Sequence, residues 1–315
     1  MSRAYDERER PARPAEYGFR DSVLARVQGP AGTASSDIFF GVYQTTEYMQ
    51  KAIGIFDSGI GGLTVLKELV SALPFENTIY LGDTARVPYG IRSPETVTRY
   101  SFEITRFLLS QEIKILVVAC NTASAVSLEA VKREFPLPVI GVLEPGARAA
   151  VRATRKRKIG IIGTEATVAS GAYEKAIGKI GPDIDVFAEA CPLFVPLVEE
   201  GWTNNDVAEL IAGRYLAPFQ GKGIDVLVLG CTHYPLLKKV ISGIMGDGIT
   251  LIDSATETAR EVADVLAKLN WLRPDHDDAV RRYFVTDSPA RFERIGRLFL
   301  EKERLLAEQV RVGGV

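Results

Sequence analysis

Short apolar runs alternate along the chain with longer stretches in which apolar residues recur every three or four positions. Four of these runs cover residues 53–56, 115–119, 159–162 and 226–229. Runs of this length, bounded by glycine or polar residues, predict strands that are buried on both faces. The amphipathic stretches between them predict helices, the last of them around residues 292–299. This alternation is typical of an α/β fold with parallel sheets.

One of the apolar runs stops at a cysteine and continues into a predicted helix. Residues 115–119 are the strand, Cys120 follows them, and Asn121 and Thr122 are the expected N-cap residues. Open α/β sheets place ligands at this position. The N-terminus of a helix also favours a thiolate and binds carboxylates. The same pattern fits a buried structural cysteine, so this stretch alone leaves both interpretations open.

The same arrangement occurs twice in the chain. Residues 53–58 resemble residues 159–164, and residues 115–122 resemble residues 226–233. The second member of each unit contains a cysteine just after its apolar run, Cys120 in residues 115–122 and Cys231 in residues 226–233. The interval from the unit's first strand to its cysteine is similar in both cases. We therefore predict two pseudo-symmetric, doubly wound parallel-sheet domains that face a central cleft and present one cysteine each. Coincidence between two ordinary α/β units is the alternative.

The predicted domains divide the chain into three parts. Residues 1–49 are predicted to be a flexible N-terminal extension, because they are rich in charged residues, proline, glycine and serine. Residues 50–144 together with 255–315 form the first α/β domain, and residues 145–254 form the second. Met49 is an alternative translation start. A regulatory extension that docks on the body is another alternative, with these anchors: Phe39, Phe40, Val42 and Tyr43.

Two thiols that face each other across a cleft suit one reaction type. One removes a proton from a carbon atom and the other delivers a proton to the opposite face, which inverts a stereocentre. A disulfide between Cys120 and Cys231 is a competing interpretation, and a single cysteine nucleophile with His233 as its base is another. Asp57, at the end of the first strand, is either a ligand for a substrate ammonium group or a helix cap. Glu199 is interpreted as a surface carboxylate or a supporting one.

Composition excludes several other classes of function. The 315 residues carry a net charge of −2, which gives no electrostatic basis for binding nucleic acid. No apolar run approaches the ~18 residues of a membrane span, so we expect no membrane association. Three cysteines in a chain of this length indicate a reducing, cytoplasmic compartment. With two histidines and no Cys-x-x-Cys, a metal site is not expected.

Taken together, these residues resemble the cofactor-independent aspartate/glutamate racemase family from about residue 51 to the end of the chain. The motifs that carry the resemblance are Phe56–Gly62, Gly82–Thr84, Pro88–Gly90, Ala119–Ala123, Gly230–Pro235 and Phe284–Thr286. The resemblance implies interconversion of L-glutamate and D-glutamate. It also implies that the reaction uses no cofactor and, in particular, no pyridoxal phosphate. It further implies that D-glutamate is made for peptidoglycan, that the enzyme is cytoplasmic and that it is a homodimer.

The resemblance also implies a role for each residue of the site. Cys120 and Cys231 are the two acid–base catalysts, assisted by Asp57 and His233 respectively. The residues implied to bind the substrate are Asp57, Ser58, Tyr89, Gly90, Asn121, Thr122, Thr232 and His233. Within this set, Asn121, Thr122 and Thr232 bind the α-amino and α-carboxylate groups. Tyr89 and Gly90 belong to the loop that selects the side-chain carboxylate.

Three other activities remain as alternatives. A racemase of aspartate or another acid would have the same fold and the same pair of thiols. A decarboxylase would use one cysteine as a proton donor, and the presence of two cysteines argues against it. An amino-acid-binding module would bind glutamate without changing its optical rotation.

Overall fold

A computed structural model describes residues 47–274, 278–300 and 305–313 of the chain. Its strands are β1 Ala52–Asp57, β2 Thr78–Gly82, β3 Ile113–Val118, β4 Val139–Gly141, β5 Lys158–Gly163, β6 Asp185–Ala190, β7 Val226–Gly230, β8 Thr250–Asp253, β9 Arg281–Val285 and β10 Glu308–Gln309. Residues 1–46 lie outside the described ranges. They include most of the predicted N-terminal extension and all four of its proposed aromatic and apolar anchors.

Helices connect almost all of these strands. They are α1 Leu63–Ala72, α2 Pro94–Ser110, α3 Asn121–Val126, α4 Leu128–Glu134, α5 Leu143–Ala153, α6 Glu165–Ala169, α7 Ala172–Ile180, α8 Phe194–Glu199, α9 Asp206–Leu216, α10 Lys238–Met245, α11 Ser254–Leu269 and α12 Pro289–Leu300. Helix α2 has a typical start, because Pro94 is its first residue and the Ser93 hydroxyl accepts the N–H of Thr96. Among the described residues, no helix is long and apolar enough to cross a membrane.

The strands form two parallel sheets with the same internal order. In the first sheet the order is β10-β9-β2-β1-β3-β4, and in the second it is β6-β5-β7-β8. The segment β2-β1-β3-β4 therefore has the order of the whole second sheet, and all these pairs are parallel. The α/β class and the predicted pseudo-symmetry are confirmed. The predicted C-terminal helix α12 is also present. After it the chain adds strand β10 beside β9, which was not predicted because a two-residue strand has no recognisable pattern in the sequence.

The connections place the two cysteines at equivalent points. From β1 the chain crosses to β2 on one side, and β3 pairs with β1 on the other side. Strands β5, β6 and β7 repeat this arrangement. Loops leave the central pair of strands in opposite directions at such a point, which opens a crevice at their carboxyl ends. Cys120 follows β3 and Cys231 follows β7, so each thiol lies at the crevice of its own sheet.

Apolar packing is continuous between the two halves. One cluster of buried side chains includes Ile53 and Ile115 of the first sheet together with Leu227 and Leu229 of the second. Cys191 is fully buried in the same cluster, as is typical of a structural cysteine. The two sheets are therefore held together by shared core as well as by the polar contacts of the site described below.

A buried ion pair joins chain segments that lie close to the amino ends of strands β1, β2 and β3. Lys114 on β3 is 0% exposed, and its ammonium group lies 2.6 Å from a carboxylate oxygen of Glu76. The same group donates to the carbonyl oxygens of Trp271, at 2.7 Å, and Met49, at 3.2 Å. Tyr48 stacks on the Trp271 ring with a centroid distance of 4.3 Å. Lys114 therefore joins the segment before β1, the loop before β2 and the segment after α11.

Replacing Lys114 by methionine should lower the free energy of unfolding by about 3–5 kcal/mol, because Glu76 and two carbonyl groups would stay buried without their donor. Denaturant titration would measure the loss. Lys132→Met is the matched control, since Lys132 pairs with Glu129 on the surface and should cost less than about 1 kcal/mol. Equal losses in the two variants would contradict this account of Lys114.

Candidate active site

The Cys120 thiol caps the helix that follows it. Its backbone is extended, and its sulfur accepts the N–H of Ala123 at 3.5 Å, so Cys120 is the N-cap of α3. The prediction that Asn121 or Thr122 is the N-cap is therefore wrong by one or two residues. The reason is that β3 ends at Val118 and the chain turns at the cysteine itself, which makes Asn121 the first helical residue. The thiol is thus held directly at the positive end of the helix.

Burial and a neighbouring carboxylate determine the protonation state of Cys120. The residue is 5% exposed, and its sulfur lies 3.5 Å from the hydroxyl oxygen of Ser58. Burial together with the negative charge of Asp57 raises the pKa of the Cys120 thiol to about 12, although the N–H of Ala123 and the Ser58 hydroxyl act in the opposite direction. At neutral pH, Cys120 is therefore a thiol in this structure.

Asp57 lies at the end of β1 and connects the two halves of the site. One carboxylate oxygen accepts the N–H of Gly59 at 2.9 Å, in the glycine-rich turn. The other accepts the hydroxyl of Thr232, from the second half, at 3.5 Å. Burial raises the pKa of Asp57, and the positive charge of His233 partly offsets that increase. Asp57 therefore shapes the turn and also faces the site.

Cys231 has a different partner, an imidazole in a chain of charged groups. Cys231 is 7% exposed, and its sulfur lies 3.9 Å from Nδ1 of His233. Nε2 of the same ring lies 3.2 Å from Glu199, whose second oxygen accepts from Arg291 at 2.8 Å. Burial disfavours a charged imidazole here, but hydrogen bonds to Cys231 and Glu199 outweigh it and raise the pKa of His233 to about 10. The pKa of Glu199 is lowered by His233 and Arg291 despite its burial.

Gly61 allows the two halves to meet. A β-carbon at this position would lie 2.6 Å from Cε1 of His233 and closer still to the Thr232 hydroxyl oxygen, so no other residue fits without movement. Thr64, the second residue of α1, donates its hydroxyl to the carbonyl oxygen of Thr232 at 3.2 Å. The glycine-rich turn after β1 is therefore packed against the segment after β7, which brings Asp57 and His233 into one site.

A second set of polar contacts joins α3 to the opposite half. The hydroxyl of Thr122 lies 2.9 Å from that of Thr164 and 3.3 Å from that of Thr167. The side-chain oxygen of Asn121 accepts the hydroxyl of Tyr173 at 2.7 Å. The predicted residues Asn121 and Thr122 therefore contact the second half of the molecule at the start of α3.

The Tyr89–Gly90 segment packs against the second half beside the site. The Tyr89 ring is buried and its hydroxyl donates to the carboxylate of Asp83, which also accepts from Thr286 at 2.9 Å. A β-carbon at Gly90 would lie 2.8 Å from the β-carbon of Thr164, so this segment packs against the second half. Tyr89 and Gly90, which were predicted to bind substrate, are thus adjacent to the site. The hydroxyl of Tyr89, however, is already hydrogen-bonded to Asp83.

Sequence reasoning missed four features at the site or its border: the residues Thr164, Thr167 and Tyr173, and the ion pairs of Glu199, which it interpreted only as a surface or supporting carboxylate. The repeat contained a signal for one of them, because Thr164 occupies the position that corresponds to Ser58. The other three are brought in by contacts between segments far apart in sequence, which no local pattern records.

The arrangement limits the chemistry that the site can perform. The three cysteines are free, so the disulfide interpretation of Cys120 and Cys231 is wrong for this structure. In the part of the chain that the structure describes, no group of three or more His, Cys, Asp or Glu side chains is arranged to hold a metal ion. What the site offers is two buried thiols from opposite halves, each beside an ionisable partner, and the N-terminus of α3 for an anion.

Comparison with known proteins places these features in a family. The model of the family described as Asp/Glu/Hydantoin racemase matches residues 53–262. A glutamate racemase of Geobacter metallireducens is 60% identical over 250 residues, which are 79% of this chain and 93% of that protein. Two solved structures, each covering 84% of this chain and 98% of their own, are also similar. They are glutamate racemases of Bacillus anthracis, with a TM-score of 0.81 and 41% identity, and of Francisella tularensis in complex with D-glutamate, with a TM-score of 0.79 and 38% identity.

The raised pKa of His233 predicts how stability depends on pH. A histidine whose pKa rises from its ordinary value of 6.5 to about 10 on folding binds its proton more tightly in the folded state. Its contribution to stability is therefore fully present below about pH 6.5 and is lost as the pH rises through about 10. The difference in free energy of unfolding between the natural chain and His233→Asn should shrink over this interval, as measured by denaturant titration at several pH values.

Glu199→Gln tests the cause of this shift. Removing the carboxylate charge should move the loss of stability to lower pH, because Glu199 helps to hold the proton on His233. Lysines and tyrosines also titrate near pH 10, but they are common to all the proteins compared and cancel in the difference. A difference that is independent of pH between 6 and 10 would contradict the charged form of His233.

Proposed function

The chain belongs to the Asp/Glu/Hydantoin racemase family, and from this premise we propose that it interconverts L-glutamate and D-glutamate by proton transfer between the α-carbon and two cysteines. The observation that carries the proposal is that Cys120 and Cys231, from opposite halves, lie close enough for the charge of Cys231 to raise the pKa of Cys120, and that each has its own ionisable partner. Glutamate is the proposed substrate because the relatives reported above are glutamate racemases, one of them with D-glutamate bound.

In the proposed reaction, one cysteine acts as a base and the other as an acid. A thiolate takes the proton from the α-carbon, and a thiol on the opposite side gives its proton to the carbanion. The product has the opposite configuration, and the two cysteines have exchanged protonation states. Proton exchange with Asp57, His233 and water then restores the starting form. The reaction involves no net change of oxidation state, and we propose that it proceeds without a cofactor.

The two partners make the proposed site asymmetric. Cys120 holds its proton because burial and Asp57 raise its pKa, which makes it the acid of the resting form. Cys231 lies beside His233, whose positive charge offers a counter-charge to a thiolate. Binding of a substrate ammonium group near Asp57 would offset the negative charge that holds the proton on Cys120. The same site can then run the reaction in the opposite direction, with Cys120 as base.

Stabilising the carbanion is the main chemical difficulty, because the α-hydrogen of an amino acid is very weakly acidic. Negative charge that develops on the α-carboxylate can be held by N–H groups at the start of α3 and by the side chains of Asn121, Thr122 and Thr232. Burial of both thiols keeps water away, which strengthens these interactions. Ser58 and the Tyr89–Gly90 segment complete the proposed binding surface for glutamate.

The wider role is also part of the proposal. We assign the product D-glutamate to peptidoglycan synthesis in a bacterial cytoplasm, and we expect the enzyme to be a homodimer. Support comes from the resemblance of the chain to the family. An aspartate racemase, a decarboxylase and a binding module are tested by the same assays, since each predicts a different product or none.

Cys120→Ala and Cys231→Ala should each lower the rate of glutamate racemisation by about 10²–10⁴-fold or more, in both directions, because each removes one of two obligatory proton carriers. Circular dichroism of the glutamate solution would follow the reaction, with aspartate as a second substrate. Cys191→Ala is the matched control and should keep its activity within a few-fold, since this thiol lies in the apolar core. Near-natural racemisation by either site variant would rule out the two-cysteine mechanism.

A further inference from the structure

We propose that Tyr173 is a positioning residue that orients the Asn121 side chain, so that its amide N–H groups face the substrate α-carboxylate. This inference rests on the proposed function and extends it to a residue that does not itself touch the substrate. Tyr173 lies on α7 of the second half and Asn121 at the start of α3 in the first half. Their hydrogen bond of 2.7 Å therefore also connects the two halves beside Cys120.

Two glycines leave the space that the Tyr173 side chain fills. The residue is 1% exposed. A β-carbon at Gly230, directly before Cys231, would lie 3.1 Å from its ring, and one at Gly146 would lie 3.4 Å from its hydroxyl oxygen. Both positions are glycine, so the ring reaches past the ends of α5 and β7 to Asn121. Such a buried ring can adopt few other orientations, and its hydroxyl is therefore held in place.

The direction of the hydrogen bond depends on the protonation of Tyr173. Burial raises the pKa of Tyr173, so its hydroxyl keeps its proton at neutral pH. This hydrogen is donated to the side-chain oxygen of Asn121, which can only accept.

The consequence concerns the other end of the Asn121 amide. Once its oxygen accepts from Tyr173, the amide nitrogen is directed away from Tyr173 with two N–H donors. Asn121 is 3% exposed, and this nitrogen has no hydrogen-bond partner among the described residues. A buried N–H pair without an acceptor is costly, and a carboxylate is a strong acceptor for it. The nitrogen lies at the N-terminus of α3, which favours the same charge.

Without the Tyr173 hydroxyl, the amide of Asn121 is free to rotate by half a turn. Its oxygen would then face the α-carboxylate and repel it, while the N–H groups would face the apolar ring of a phenylalanine. Binding of glutamate would weaken, and so would stabilisation of the charge that develops on the carboxylate during proton transfer. Both effects act through Asn121, and this gives the inference a distinctive test.

The test is a double-mutant cycle on racemisation by the full chain. Tyr173→Phe should raise KM for glutamate about ten-fold and lower kcat, whereas in an Asn121→Ala background the same change should alter both by less than about two-fold. Tyr215→Phe is the matched control, because it removes a tyrosine hydroxyl that bonds the N–H of Leu193, outside the site. Equal losses from Tyr173→Phe in both backgrounds, or no loss in either, would overturn the inference.

Denaturant titration of Tyr173→Phe checks that this variant folds. Asn121→Asp is a second variant, because its carboxylate still accepts from the Tyr173 hydroxyl but has no N–H donors. It should raise KM at least as much as Asn121→Ala does, and a KM equal to that of the natural chain would overturn the inference. The natural chain separates this inference from the proposed function. If that chain does not racemise glutamate, the proposed function fails, and calorimetric binding of D-glutamate to the same variants replaces KM in the cycle. Absence of any coupling between positions 173 and 121 in that binding would overturn the inference on its own.

Discussion

The close approach of Gly61 to Thr232 and His233 is the contact on which the site depends. Two parallel sheets with the same strand order each carry a cysteine at the carboxyl end of a central strand. In the proposed mechanism, each half supplies the thiol for one face of the α-carbon. Because Gly61 has no side chain, the turn after β1 packs directly against the segment after β7. Asp57, Thr232 and His233 therefore lie in one buried site, which the two similar units share.

Within that site the two thiols differ because their partners have opposite charge. Cys120 lies near the carboxylate of Asp57, and its pKa rises. Cys231 lies near His233, whose proton is held by Glu199, and Glu199 is held in turn by Arg291 on α12. A symmetric fold therefore gives the two cysteines different partners. The proposed reaction needs one thiol and one thiolate, and the raised pKa of Cys120 favours Cys120 as the thiol at the start.

Sequence reasoning predicted the features that have a local cause. Buried strands such as β3 and β7 are continuous apolar runs, and the repeat of strand and cysteine predicted two units of equal topology. The exact start of α3 was not predicted, because the cap depends on where β3 ends. The bond between Tyr173 and Asn121, and the ion pair of Glu199 with Arg291, join segments far apart in sequence. Tyr89 shows the same limit, since its hydroxyl is taken by Asp83, a buried partner that the motif does not reveal.

The most direct test of the two-cysteine account is the fate of the α-hydrogen in deuterium oxide. Pure L-glutamate would be converted by the full chain for a small fraction of one equilibration, and both enantiomers would then be separated and analysed by mass spectrometry. With two proton carriers, the D-glutamate formed should carry deuterium at the α-carbon, and the recovered L-glutamate should carry almost none. Deuterium appearing equally fast in recovered L-glutamate would contradict the account, because it would mean that one group removes and returns the proton on the same face.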